Sequence, residues 1–198
     1  MTVTRCGWAE SSPLMAAYHD TEWGVPVHDD RKHFEFLILD AFQAGLSWAI
    51  VLAKRENFRR AFDGFDAEKI ARYRAAKLRQ LVTDASIIRN RQKIVGTVQN
   101  ARAFLQLQEK HGSFDAFVWE FVGGTTRHNA WKTLRQIPAH TKESDRLSKA
   151  LKERGFTFVG STICYAYMQA AGLVNDHLVS CFRGVSFKRA RTSDPPAV

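Results

Sequence analysis

Two pairs of residues at opposite ends of the chain carry the first chemical signal. Cys6 and His19 stand near the N-terminus, and His177 and Cys181 stand i,i+4 near the C-terminus. On a helix that spacing puts both side chains on one face, one turn apart, where they can converge on a metal ion. Two thiolates with two imidazoles form a closed tetrahedral set, which suits a structural Zn2+ better than a catalytic one. Such an ion would tie the ends of the chain together. The spacing is not that of a standard zinc finger, so the residues alone leave open an ordinary buried thiol and a hydrogen-bonded core histidine at each place.

A second signal lies among the aromatic residues of the first quarter. Trp8, Tyr18, Trp23 and Trp48 flank or follow Cys6 and His19. They can serve as core bulk, or as a stacking pocket for a flat ligand such as a nucleobase. Asp40 and Gln43 interrupt an otherwise apolar stretch nearby. A pocket-facing carboxylate there would accept hydrogen bonds from an exocyclic amine and attract a cationic ring. The alternative is an exposed residue near a helix end.

The third signal is a helical hairpin. A basic amphipathic segment from Leu147 reaches Arg154-Gly-Phe-Thr-Phe-Val-Gly160, and a second helix begins at Ser161. Gly160 just before that helix leaves backbone N–H groups free at a positive helix end, a sequence-independent grip on phosphate. An ordinary hairpin has the same pattern.

The elements that must position these groups read as helices almost throughout, so the fold class is all-α. Phe34, Leu37, Ile38, Ala41 and Phe42 recur at helical spacing, and Trp48, Val51 and Leu52 resume after Gly45. Asp66 caps Ala67 to Tyr73. Arg91 to Lys110 ends before Gly112, and Ser113 opens a helix that runs into Gly123-Gly124. Ser144 is read as the cap of a helix closed by Gly155, and an apolar helix runs from Ser161 to Gly172.

At 198 residues the chain suits one domain, and 45% hydrophobic residues exclude wholesale disorder. No stretch approaches the roughly 20 apolar residues of a membrane span, and the N-terminal residues do not read as a secretory signal. Three cysteines, Cys6, Cys164 and Cys181, make no disulfide framework, so the chain is expected in the reduced cytoplasm. Lys and Arg number 29 against 20 Asp and Glu, a net charge of +9 that points to a polyanion, or serves solubility alone. Four cations and one Asp from Arg183 onward give the C-terminal end +3 of that, and the body keeps +6. The expected organisation is one domain over 1–182 and a flexible basic tail over 183–198. Arg72, Arg74, Lys77, Arg79, Arg89, Arg91 and Lys93 crowd the middle of the chain. Each is an ordinary solvated helix residue taken singly, and together they raise the case for phosphate contact.

Together these segments resemble the DNA-3-methyladenine glycosylase I family, the Tag-type branch of the helix-hairpin-helix glycosylases. The matching stretches are Arg5-Cys-Gly-Trp8, Tyr18-His-Asp-Thr-Glu-Trp-Gly-Val-Pro26, Gln43-Ala-Gly-Leu-Ser-Trp48 and Lys54-Arg-Glu-Asn57. They continue with Ile87-Ile-Arg-Asn-Arg91, Gly155-Phe-Thr-Phe-Val-Gly160, Thr162-Ile-Cys-Tyr165 and Gly172-Leu-Val-Asn-Asp-His177. The resemblance runs in order from about residue 5 to 182. It implies a helix-hairpin-helix fold in two lobes around a pocket, with Cys6, His19, His177 and Cys181 holding a structural Zn2+. It implies that Trp48 stacks on a flipped 3-methyladenine, while Tyr18, Trp8 and Trp23 shape the pocket and Leu46 enters the base stack. Gly160 would hold the DNA backbone, with Lys152 and Arg154 as phosphate partners.

The implied activity is base excision: a monomer acting on double-stranded DNA with alkylated bases, with no membrane partner. Two departures stand out. Asp40 occupies the place of a family Glu, one methylene shorter, and Met15 stands where relatives can have Tyr. Both bear on affinity for the base. Asn175 stands where many helix-hairpin-helix glycosylases carry a catalytic Asp. Asp176, one place on, is expected to orient nearby backbone or the zinc ligand. No lysine stands at the hairpin position used for Schiff-base chemistry, where Tyr165 or a neighbour falls. The reading is therefore a monofunctional glycosylase in which water attacks and Asp40 recognises the cationic base. Two other classes remain on the sequence: a damage-binding module without excision, and a zinc-stabilised scaffold with no nucleic-acid role.

Overall fold

A computed structural model describes residues 3–184. All but the first two residues of the tail expected over 183–198 fall outside that range. The described chain is mostly helical. Its helices are α1 (Pro13–Thr21), α2 (Asp30–Gln43), α3 (Trp48–Ala53), α4 (Arg55–Ala61), α5 (Ala67–Ala71) and α6 (Ala75–Thr83). Then come α7 (Arg91–His111), α8 (Phe114–Trp119), α9 (Lys142–Glu153) and α10 (Ser161–Ala170). One short parallel pair, β1 (Arg127–His128) and β2 (Val174–Asn175), is the strand content among the described residues. No described helix is long and apolar enough to cross a membrane.

Local signals set most boundaries. Ser12, Asp29, Asp66, Asn90 and Ser113 each accept the backbone N–H three residues on, satisfying a donor that the first helical turn leaves free. Helix α9 departs from expectation. Its cap is Thr141, and Ser144 is the third helical residue, whose Oγ accepts the Thr141 N–H at 2.8 Å. The two residues form a reciprocal capping box, so the helix starts one turn earlier than a cap at Ser144 would allow.

Helix α2 runs through the centre. Every residue from His33 to Phe42 is buried, with α3, α7, α8 and α10 packed around it. Its phenylalanines meet others edge-on or tilted, Phe42 with Phe58 at 4.7 Å and Phe34 with Phe104 at 4.9 Å between ring centroids. A helix buried on all sides must pair its polar side chains. His33 does so with Asp115 (2.9 Å) and the Tyr167 hydroxyl (2.7 Å). Glu35 takes the guanidinium groups of Arg55 at 2.7 Å and Arg59 at 2.8 Å.

The end of α2 has its own device. Lys93, grouped with the exposed cations in the sequence, is buried, and its ammonium donates to the carbonyls of Phe42 (2.9 Å) and Ala44 (2.6 Å). It therefore caps the C-terminus of α2 instead of facing solvent. The cap anchors the turn that follows, where Gly45 adopts φ +82°, a conformation costly for any residue with a Cβ. Leu46 projects from that turn, 40% exposed.

The α9–α10 hairpin docks on α7. Asn100 exchanges two hydrogen bonds with the Thr157 backbone, at 3.0 and 2.8 Å, and Gln99 donates to the Gly155 carbonyl at 2.7 Å. Gly96 permits this approach: a Cβ there would lie 2.7 Å from Thr157 Cγ2 and 2.9 Å from the Phe158 ring. The same helix thus fixes both the turn bearing Leu46 and the hairpin bearing Gly160.

Replacing the Lys93 ammonium leaves two buried carbonyls without a charged donor. Lys93→Met is expected to lower stability by about 1.5–3 kcal/mol, read as a lower urea midpoint with an unchanged m-value.

Candidate active site and metal centre

Four side chains from both ends of the chain meet. Cys6 closes the N-terminal segment before the turn Gly7–Ser11, His19 projects from α1, and His177 and Cys181 follow β2. All four are buried, and their donor atoms lie within 4.8 Å of one another. His19 Nε2 is 3.1 Å from His177 Nδ1 and 3.4 Å from Cys181 Sγ, and Cys6 Sγ is 3.8 Å from His177 Nδ1. A tetrahedral ion with bonds of about 2.0–2.3 Å needs ligand atoms about 3.3–3.8 Å apart, so the set has the right size. The helix that the i,i+4 spacing of His177 and Cys181 would allow is not formed. The segment is a loop that turns back through Cys181 N to Leu178 O at 2.8 Å, and Gly172 interrupts the helical run before it.

The outer partners point the imidazole lone pairs inward. His19 Nδ1 lies 2.8 Å from Asp20, itself paired with Arg5, and this leaves Nε2 to face the cluster. His177 Nε2 lies 3.0 Å from the Trp23 carbonyl, which leaves Nδ1 to face it. The two thiols are coupled: the contact with Cys6 holds the Cys181 thiol far below its usual range, and the same contact together with burial pushes Cys6 far above it. Two sulfurs and two ring nitrogens turned toward one point are a donor set that can bind a metal ion, which takes them as thiolates and neutral imidazoles.

The cluster is continuous with an aromatic cavity. Trp23 packs edge-on against His177 at 4.6 Å, and Trp8 packs against His19 at 5.3 Å and Trp23 at 5.0 Å. Trp8, Tyr18, Trp23 and Trp48, brought together as expected, wall a cavity of about 380 Å³. Tyr18 and Trp48 lie 5.2 Å apart at 45°. Met15 from α1 and Asp40 and Gln43 from α2 line it too, as do Ala166, Gln169 and Ala170 of α10. Leu46 stands outside it, on the turn between Gln43 and Trp48.

Asp40 is the exception among the polar residues of α2. It is 2% exposed, and its Oδ2 finds no hydrogen-bond partner among the described residues, nor does the Trp48 Nε1. Burial raises the Asp40 carboxyl well above the ordinary carboxylate range, and the Arg55 cation offsets this only in part. A buried carboxyl oxygen and an indole N–H, both unpaired and both on residues that line one aromatic cavity, mark a site for a ligand rather than ordinary core.

The segment after the hairpin is fully engaged. Asn175 Oδ1 accepts the His177 N–H at 3.1 Å. Asp176 makes no hydrogen bond to the Cys/His cluster. It is buried and takes four side-chain donors instead: Asn129 (2.8 Å) and Trp131 (2.8 Å) on Oδ1, Tyr165 (2.5 Å) and Gln169 (2.7 Å) on Oδ2. At the hairpin, Gly160 offers no side-chain cap, so the first N–H groups of α10 face outward without one. Lys152 is exposed on α9. Arg154 turns away, its guanidinium 4.9 Å above the Phe117 ring and bonded to the Ala150 carbonyl at 2.8 Å.

Sequence reasoning missed Gln169, Leu134, Ile137 and the junction role of Asp176. Gln169 could have been noticed as a polar residue in an apolar helix, but the segment holding Leu134 and Ile137 has no periodicity to read.

Residues 8–184 match the family model described as methyladenine glycosylase. The chain is 53% identical to DNA-3-methyladenine glycosylase 1 of Escherichia coli K12, over 89% of this chain and 95% of that protein. It is similar to a crystal structure of 3-methyladenine DNA glycosylase I with a TM-score of 0.88 and 50% identity, covering 90% and 98% of the two chains. A structure addressing 3-methyladenine recognition by the Staphylococcus aureus enzyme superposes with a TM-score of 0.87 at 32% identity, covering 90% and 95%. The chain belongs to the methyladenine glycosylase family.

Proposed function

We propose that the cavity receives a 3-methyladenine flipped out of double-stranded DNA and that the chain hydrolyses its N-glycosidic bond, leaving an abasic site. The observation that carries this reading is the unpaired Asp40 carboxylate, buried at the wall of a cavity of aromatic faces. Methylation at N3 makes the base of the nucleotide cationic. A cationic ring stacked on Trp48 supplies the counter-charge that Asp40 lacks in the free protein. Flipping is required because the glycosidic bond is out of reach inside the stack. The names of the relatives and of the solved structures, covering nearly the whole of each chain, support the same reaction.

The charge on the base also sets the chemistry. When the C1′–N9 bond breaks, the bonding pair passes to the ring and neutralises it, so the base leaves without being protonated by the protein. Water adds to the sugar carbon and releases a proton, and the backbone stays intact. Two features support this monofunctional course. Asn175, in the place of a catalytic Asp, is bonded to the His177 backbone, and Tyr165 is tied to Asp176. Neither offers a base or an amine to the sugar. Asp40 then acts by recognising the cation and stabilising the state in which the charge is being lost.

In this reading the α9–α10 hairpin is the helix-hairpin-helix element, and the N–H groups after Gly160 hold a phosphate. Lys152 adds charge from the exposed face of α9, and Arg154 contributes through the hairpin's packing on Phe117. Leu46, rigidly carried by the capped turn, enters the stack where the base leaves. Cys6, His19, His177 and Cys181 would hold a Zn2+ that supplies cross-linking and no chemistry, since the four donors complete a tetrahedron and leave no position for water.

Asp40→Asn has two expected outcomes of opposite sign. Excision of 3-methyladenine from methylated duplex DNA should fall on the order of 100-fold or more. The free protein should become more stable near neutral pH. A carboxyl whose folded pKa is raised loses stability as pH climbs above its unfolded value of about 3.9, and Asn mimics the neutral form. The gain should therefore vanish near pH 4 and grow toward neutrality, read by urea unfolding at each pH. Full retention of excision in this variant overturns the role given to Asp40.

Zinc analysis is expected to give one ion per chain, bound through two thiolates. Stripping it should lower Tm by on the order of 10 °C, as losing a link between distant chain segments does. Any loss of excision should follow the unfolding curve and be regained with zinc.

A further inference from the structure

The cavity has a wall that neither the zinc cluster nor α2 provides. Leu134 and Ile137 line it from the segment between β1 and α9. Both flank or begin the 3-10 turn Leu134–Gln136, a segment without an extended helix to hold it. Its position is nevertheless tightly specified. Gln136 accepts the backbone N–H groups of Lys132 (2.8 Å) and Thr133 (3.2 Å) and closes a capping box with Thr133. Upstream, Asn129 N donates to the Asn175 carbonyl at 3.1 Å and Val179 N to the Trp131 carbonyl at 2.9 Å.

Asp176 joins this strap to the pocket. Its Oδ1 takes the strap residues Asn129 and Trp131, and its Oδ2 takes Tyr165 and Gln169 of α10. Gln169 and Leu134 both line the cavity, so one buried carboxylate fixes two of its walls relative to each other. Such rigidity is needed where side chains must meet a ligand, and it is not needed for a surface loop.

Leu134 itself is 42% exposed. The other large apolar side chains exposed among the described residues are Val3, Leu14, Leu46, Ile50 and Val95, and none of these lines the cavity. Among the described residues, Leu134 alone combines a large exposed aliphatic side chain with a place in the pocket wall. A scattered surface leucine needs no explanation, but one held by a capping box at the mouth of a ligand cavity does.

We infer that Leu134 is a nucleotide-contacting residue of this enzyme: it closes over the extrahelical nucleotide and covers the face of base or sugar that the aromatic wall leaves open. The inference rests on the proposed base-excision reading. It differs from the role given to Leu46. Leu46 acts on the duplex from which the base departs, whereas Leu134 acts on the nucleotide once it is out. A contact of that kind matters on single-stranded substrate as well, where there is no stack to enter.

Leu134→Ala should reduce kcat/KM for release of 3-methyladenine roughly tenfold, the factor that goes with losing most of one aliphatic contact. The reduction should be similar on duplex and single-stranded methylated DNA. Leu134→Met should restore most of the rate, and Tm should stay near the parent value in both. Leu46→Ala should instead lose rate on duplex and little on single strands. Independently, the Leu134 methyl resonances should shift when free 3-methyladenine is added to the unmodified protein. Unchanged kinetics on both substrates with unmoved methyl resonances overturn the inference, as does a loss confined to duplex. If the parent chain releases no base, the excision reading fails on its own account. The methyl resonances then decide for Leu134: a shift with free base sustains the contact, and none removes it.

Discussion

The constraint on which the structure depends is the burial of α2 on every side. A helix with no solvent face must find a partner for each polar group it carries, because a lone buried charge costs several kcal/mol. That requirement explains much of the surrounding architecture. His33 draws in α8 through Asp115 and α10 through Tyr167, and Glu35 draws in α4 through Arg55 and Arg59. The exposed carbonyls at its end draw in Lys93 from α7. Asp40 stands in the same helix without such a partner, so the fold bears an unmet demand at one defined place. That place is the wall of the aromatic cavity.

The Cys/His cluster bears on the same cavity from another side. Its two imidazoles pack directly against Trp8 and Trp23, which line the pocket. The N-terminal segment contributes aromatic walls, and the C-terminal segment contributes His177 and Asp176. Both segments bury apolar side chains in the core, Met15, Tyr18 and Trp23 from one and Leu173, Val174 and Leu178 from the other, and their four donor atoms meet between them. The groups that orient the donors, the Asp20 carboxylate and the Trp23 backbone carbonyl, belong to the same stretch of chain that shapes the pocket. Order in the Cys/His cluster and order in the aromatic wall are therefore linked.

Much of this was legible in the sequence wherever the cause was local. Caps at Asp66 and Ser113, the stop at Gly112 and the periodic run from Phe34 to Phe42 are written in adjacent residues, and the helices follow them. The site residues Cys6, His19, Trp8, Tyr18 and Trp48 were legible by type. What escaped depended on distant partners. Lys93 looks like any surface cation until the end of α2 is set beside it. His177 and Cys181 have helical spacing, yet a loop brings them together, because the cluster and the Trp23 carbonyl govern their placement rather than the backbone period. Ser144 was misread as a cap because Thr141 and Ser144 are both good capping residues, and only their reciprocal bond shows which one begins the helix. The strap bearing Leu134 has no period at all, and its position follows from a carboxylate some forty residues later.

The distribution of carboxylates also bears on selectivity. In the segment after the hairpin, Asp176 is saturated by four donors and Asn175 is neutral and bonded, so no acid stands ready there to press on a sugar. The unpaired acid of the pocket is Asp40, at the wall that the base would meet. An ordinary neutral base in the cavity leaves that carboxylate either protonated or buried and uncompensated, and gains little from it. A cationic base gives it a partner in a dry, low-dielectric place, where the attraction is far stronger than in water. The same positive charge weakens the bond to the sugar. A pocket that selects for charge thereby selects the bases that need least help to leave, and a strong catalytic acid or base becomes unnecessary. In the proposed reading, recognition and rate enhancement have one origin, the unpaired carboxyl of a single side chain in a buried helix.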